Sequence, residues 1–148
     1  MEFTDWLYPL FVIYYAGRFQ KPMKRNLGQF GAMVLCETKR NPLHYIGYGC
    51  WCGFGGKGTP VDEIDQCCYI HDRCYDNITE KGTCPFEIGV YANVYKRKDC
   101  TRCAEISIFG NSRCEKELCE CDAAAARCFK KYDSKFQDRY KNYDKSSC

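Results

Sequence analysis

Asp65-Gln-Cys-Cys-Tyr-Ile-His-Asp-Arg-Cys-Tyr75 and Cys119-Glu-Cys-Asp-Ala-Ala-Ala-Ala-Arg-Cys128 are the two stretches on which the fold turns. Each holds two cysteines seven residues apart, Cys67 with Cys74 and Cys121 with Cys128. Seven residues of helix are two turns, about 10.5 Å of rise along one face. In two antiparallel helices, a Cys67–Cys128 bond brings Cys74 opposite Cys121, because both pairs of indices add to the same total. Thr59-Pro60-Val61-Asp62 reads as a helix start, with proline in the first turn and acids near the N-terminus. Ala123 to Ala126 is a run of the best helix former. The spacing therefore predicts two long helices, over 61–77 and 117–131, clamped by Cys67–Cys128 and Cys74–Cys121. Each bridge contributes about 2–4 kcal/mol, mainly by constraining the unfolded chain.

The rest of the chain fits a small stapled globule. Fourteen cysteines in 148 residues is the density of a disulfide scaffold, which places the protein in an oxidising, extracellular compartment. A formal charge of +3 with dispersed basic residues argues against a nucleic-acid partner. A hydrophobic content of 45% with 16% aromatics excludes a disordered chain. No apolar run reaches the roughly 20 residues that span a bilayer.

Residues 1–25 hold no cysteine and include an apolar stretch, Trp6 to Gly17. This segment reads as a signal peptide or an apolar pro-segment, ending at the dibasic pair Lys24-Arg25. Its removal takes away four basic residues (Arg18, Lys21, Lys24, Arg25) and two acidic ones (Glu2, Asp5), so the formal charge of 26–148 is +1. Bulk electrostatics then gives little drive toward anionic surfaces. From Asn26 a short amphipathic helix is expected, with Leu27, Phe30 and Val34 on one face. Segments 87–95 and 104–109 have β-like content and are expected to pair as a hairpin.

Two features carry chemistry. His71 lies four residues after Cys67 and three before Cys74, so the clamp turns it into the interhelical seam. Asp122 follows Cys121 on the facing helix. A histidine facing a carboxylate across a stapled seam is a general base with its orienting acid. The same pair also suits a buried contact that merely satisfies both groups. The second feature is the loop 47–58, Gly-Tyr-Gly-Cys-Trp-Cys-Gly-Phe-Gly-Gly-Lys-Gly, with six glycines in twelve residues. Such backbone turns tightly and exposes carbonyl oxygens. If Cys52 bonds Cys68, the loop is drawn against Asp72, and carbonyls plus one carboxylate suit a hard cation such as Ca²⁺. A zinc site built from these cysteines and His71 is the rival reading, disfavoured in an oxidised chain.

The stretch from Tyr48 to Asp62, the helix around His71-Asp72 and the Cys119–Cys128 signature together resemble secreted, calcium-dependent phospholipase A2. The resemblance covers 26–148, and 1–25 then falls outside the catalytic domain. It implies a mainly α, disulfide-rich fold: an N-terminal helix, a calcium-binding glycine loop, two stapled antiparallel helices and a small β-hairpin. It implies one catalytic Ca²⁺ held by the carbonyls of Trp51, Gly53 and Gly55 and the carboxylate of Asp72. His71 would be the base and Asp122 its orienting acid, with the Gly53 N–H at the oxyanion. Tyr75 and Tyr91 would hold Asp122. Leu27, Phe30 and Val34 would line an acyl channel, or serve as ordinary helix packing as well. The resemblance also implies Cys52–Cys68, Cys50–Cys148 and Cys84–Cys114. Cys36–Cys100 with Cys103–Cys119 is expected, the exchanged pairing Cys36–Cys103 remaining open, because Cys100 and Cys103 stand closer than the family pattern. The implied activity is hydrolysis of the sn-2 ester of phosphoglycerides at a membrane or micelle surface. A non-catalytic receptor-binding relative and a disulfide-rich inhibitor module are the alternatives; neither needs His71, Asp72, Asp122 and the glycine loop together. The sequence names no protein partner. Asn77-Ile78-Thr79 is an N-glycosylation sequon.

Overall fold

The computed structural model describes residues 27–85 and 93–148. Among the described residues the frame is three helices, α1 (Leu27–Thr38), α2 (Glu63–Glu80) and α3 (Arg113–Tyr132). A short antiparallel ribbon of β1 (Arg97–Lys98) and β2 (Arg102–Cys103) precedes α3, with Arg97 opposite Cys103. One 3-10 turn at Pro42–Tyr45 follows α1, and three more lead from α3 to the C-terminus. α3 packs against both α2 and α1.

Cys67–Cys128 and Cys74–Cys121 both form, each with Cα atoms 5.8 Å apart, so α2 and α3 run antiparallel in the register that the indices require. The other five bridges are Cys36–Cys100, Cys50–Cys148, Cys52–Cys68, Cys84–Cys114 and Cys103–Cys119. All fourteen cysteines are thereby consumed, and no thiolate is left to hold zinc.

The helix ends differ from the sequence expectation for local reasons. α2 begins at Glu63 because the Asp62 side chain accepts the Asp65 N–H at 2.9 Å and caps it. Pro60 thus lies before the helix, and α2 continues to Glu80, just short of Gly82. α3 starts four residues before the expected Glu117, since Ser112 and Glu115 form a reciprocal capping box.

The hairpin also sits elsewhere. It turns at Asp99, whose φ of 56° is a left-handed conformation that Asp tolerates. The turn places Cys100 against α1 and Cys103 against α3, which explains their close spacing. Of the expected strands, 87–92 lies outside the described residues, and 104–109 forms a turn with a single bridge from Ile106 to Asn111. The core gathers Met33, Tyr48, Ile64, Ile78, Leu118 and Phe129.

Candidate active site

The Asp122 carboxylate is fully buried and accepts three hydrogen bonds from the described residues. His71 Nε2 donates to Oδ1 at 2.6 Å, Tyr75 Oη to the same oxygen at 2.8 Å, and Tyr95 Oη to Oδ2 at 2.6 Å. Convergent donors on both oxygens are the pattern of an ionised carboxylate, which only accepts. The second hydroxyl on Asp122 is thus Tyr95's and corrects the expectation of Tyr91, which itself lies outside the described residues. Tyr95 is set in place by α1: Gln29 donates to its carbonyl at 2.7 Å and accepts its N–H at 3.1 Å. The His71 ring stacks on Phe30 with centroids 4.5 Å apart and planes 15° from parallel. With Nε2–H committed to Asp122, Nδ1 is the nitrogen left with a lone pair.

His71 opens onto a cavity of ≈ 640 Å³. Of the residues anticipated from sequence, Leu27, Phe30, Val34, Trp51, Gly53, Asp72 and Tyr75 line it beside His71. Asp122 stands behind His71, and Gly55 lies outside the lining. The remaining wall is apolar, and Leu35, Leu43, Ile46 and Phe54 belong to both the lining and the exposed surface, Leu43 and Phe54 at 65%. Leu43 comes from the 3-10 turn after α1 and Ile46 from its C-cap, a stretch with no periodicity to flag them.

The glycine loop is held from beneath by Asp65, a residue the sequence reading passed over. This fully buried carboxylate accepts the N–H groups of Trp51 at 2.7 Å, Cys50 at 2.8 Å and Val61 at 2.9 Å. Gly49 makes room for it: its φ is +56°, and a Cβ there would lie 2.4 Å from Asp65 Cγ. Gly49→Ala should therefore lower stability by about 1–3 kcal/mol and loosen the loop. An unchanged urea midpoint would show that Asp65 does not clamp the loop in this way.

The loop carbonyls of Gly47, Tyr48, Cys50, Cys52 and Gly58 accept hydrogen bonds from within the chain. Those of Gly49, Trp51, Gly53, Phe54, Gly55, Gly56 and Lys57, and the Gly53 N–H, make none among the described residues. Cys52–Cys68 ties this loop to α2 one turn before Asp72. An all-oxygen donor set of carbonyls and one carboxylate fits a hard cation such as Ca²⁺.

Burial, and then the nearby Asp122 charge, push the Tyr95 phenol far above the usual range. Burial and the hydrogen bond to Asp62 raise Tyr48 likewise. The folded state keeps both phenols neutral while unfolded tyrosines ionise near pH 10. Their stabilisation is present below about pH 10 and declines as pH rises above it. Tyr95→Phe should make that alkaline decline shallower; the same slope in both proteins would mean that Tyr95 is not the group responsible.

The family model for Phospholipase A2 matches residues 27–141. A phospholipase A2 of Calliactis polypus is 46% identical over 122 residues, which cover 82% of this chain and 73% of that protein. The phospholipase A2 A2-actitoxin-Cgg2a of Condylactis gigantea is 43% identical over 123 residues, 81% of this chain and 98% of the relative. AP-PLA2-II of Acanthaster planci is 40% identical over 136 residues, 83% of this chain and 85% of the relative. A match over nearly all the described residues, at these identities and on this stapled helix pair, means that the chain belongs to the phospholipase A2 family.

Proposed function

We propose that the protein hydrolyses the sn-2 acyl ester of phosphoglycerides at a lipid surface, releasing a fatty acid and a lysophospholipid. The observation that carries this reading is the His71–Asp122 couple at the wall of an apolar cavity with a hydrophobic rim. His71 Nδ1 takes a proton from water as the water oxygen forms its bond to the ester carbonyl carbon. Asp122 holds the ring's orientation and stabilises the imidazolium, while Tyr75 and Tyr95 hold Asp122. The Gly53 N–H donates to the developing oxyanion. As the bond to the glycerol oxygen breaks, His71 returns its proton to that leaving oxygen. The apolar wall receives the acyl chains and excludes bulk water. Trp51, Gly53, Gly55 and Asp72 would hold one Ca²⁺, which when bound supplies Lewis-acid polarisation of the carbonyl and charge for the phosphate.

Seven disulfides suit an extracellular protein, and no helix among the described residues is long and apolar enough to cross a membrane. In the same reading, 1–25 is a signal and propeptide segment removed after Arg25. Leu27 lines the cavity, so an extension there would crowd the slot, and the uncut chain should be less active on vesicles. Asn77 is exposed on α2, and a mass shift on glycosidase treatment would report a glycan there. The central experiment is fatty-acid release from phosphatidylcholine vesicles by the 26–148 protein, with Ca²⁺ and with EDTA. Release that requires Ca²⁺ is the expected result; no release in either condition would refute the enzymatic reading.

A further inference from the structure

Between β2 and α3 the chain forms a turn that takes no part in the cavity. The Asn111 N–H donates to the Glu105 carbonyl at 2.9 Å, Ser107 N–H to the Asn111 carbonyl at 3.2 Å and Gly110 N–H to the Ser107 carbonyl at 3.1 Å. The fully buried Asn111 side chain locks the base: Nδ2 donates to the carbonyls of Lys96 (2.9 Å) and Ala104 (3.0 Å), and Oδ1 accepts the Lys96 N–H at 2.6 Å. Gly110 lets the turn close, since a Cβ there would lie 2.0 Å from the Glu105 carbonyl oxygen. Ile108 and Phe109 stand at the tip of this braced turn, 91% and 86% exposed.

We propose that Ile108 and Phe109 form a membrane anchor that inserts into a phospholipid surface. This inference rests on the lipid-surface reading above. Two observations favour a bilayer as the occupant. The first is size: a phenylalanine and an isoleucine at a protruding tip offer only a few hundred Å². A stable protein interface needs roughly 1,200–2,000 Å² in total, whereas a bilayer accepts single apolar side chains with no matching shape. The second is charge. Arg102 pairs with Asp99, Arg113 with Glu117, and Lys116 with Glu105. Lys96, whose Nζ holds the Phe109 carbonyl at 3.1 Å, and Arg97 have no carboxylate partner among the described residues. Cations beside an apolar tip suit a phospholipid headgroup layer.

The test uses the 26–148 protein and phosphatidylcholine vesicles. The double variant Ile108→Ser/Phe109→Ser should bind vesicles at least about 10-fold more weakly, from loss of two buried apolar side chains. It should keep wild-type turnover on a dispersed short-chain phosphatidylcholine. The loss should persist at high salt, as apolar insertion requires. In Phe109→Trp, the emission in excess of wild type should shift to the blue and be quenched by brominated phosphatidylcholine. Unchanged vesicle affinity in the double variant, together with no quenching of the excess emission in Phe109→Trp, would overturn the anchor. So would a wild-type dimer that the double variant converts to monomer, since the tip would then belong to a second copy. The binding and quenching arms need no hydrolysis, so a wild-type protein without turnover would count against the enzymatic reading and leave the anchor to be judged by its own arms.

Discussion

Replacing His71 with Gln should lower turnover by about 10²–10⁴-fold, the usual contribution of a positioned general base. The geometry says why the loss should fall on the chemical step. His71 spends its Nε2–H on Asp122 and lines the cavity with the rest of its ring, so its other nitrogen is the one base aligned by a fully buried carboxylate. Glutamine keeps polarity and approximate size but cannot take a proton at neutral pH. The affinity for Ca²⁺ should be nearly unchanged, because the donor set proposed for the ion contains no nitrogen. Calorimetry with Ca²⁺ beside vesicle hydrolysis separates the two roles. Loss of ion binding together with activity would show that His71 shapes the metal site and would sink the division of labour.

The second large effect is expected from Asp72→Asn. Asp72 is the one charged side chain in the proposed ion set, and it faces the same cavity as Trp51 and Gly53. Asparagine retains an oxygen at similar reach but removes the negative charge that a hard cation requires. Ca²⁺ affinity should fall steeply, and hydrolysis should drop by about 10²–10³-fold, the scale for losing one oxyanion stabiliser. Because α2 continues through this position and Cys52–Cys68 still ties down the loop, the fold should survive. Near-normal turnover in Asp72→Asn, or full wild-type activity in EDTA, would falsify the ion assignment. The two variants together are diagnostic: one should uncouple chemistry from ion binding, and the other should lose both.

The comparison between chain and fold divides along the range of the interactions. Cys67, Cys74, Cys121 and Cys128 were sufficient to set two helices antiparallel, in register, with His71 turned toward Asp122. Helical geometry is periodic and local, so four indices fix which faces meet. The glycine-rich loop and its neighbourhood to Asp72 were readable for a similar reason, since composition limits what the backbone there can do. Tyr95 was not readable. Its hydroxyl reaches Asp122 from a segment expected to be a strand but irregular over 93–96, positioned by Gln29 sixty-six residues earlier in the chain. The resemblance pointed instead to Tyr91, because spacing across irregular backbone carries no fixed direction. Asp65 likewise looks in sequence like one more acid in the first turn of a helix. Only the fold brings the N–H groups of Cys50, Trp51 and Val61 onto it and forces Gly49 to be a glycine. The cavity rim follows the same rule: Leu43 and Ile46 reach it from a single 3-10 turn and its C-cap, and Phe54 from the loop. The helix pair and its base were therefore determined by the sequence alone, through short-range periodicity and covalent closure. The second tyrosine, the loop's clamp and the apolar rim were decided by tertiary structure, since each depends on where irregular segments end up when distant parts of the chain pack together.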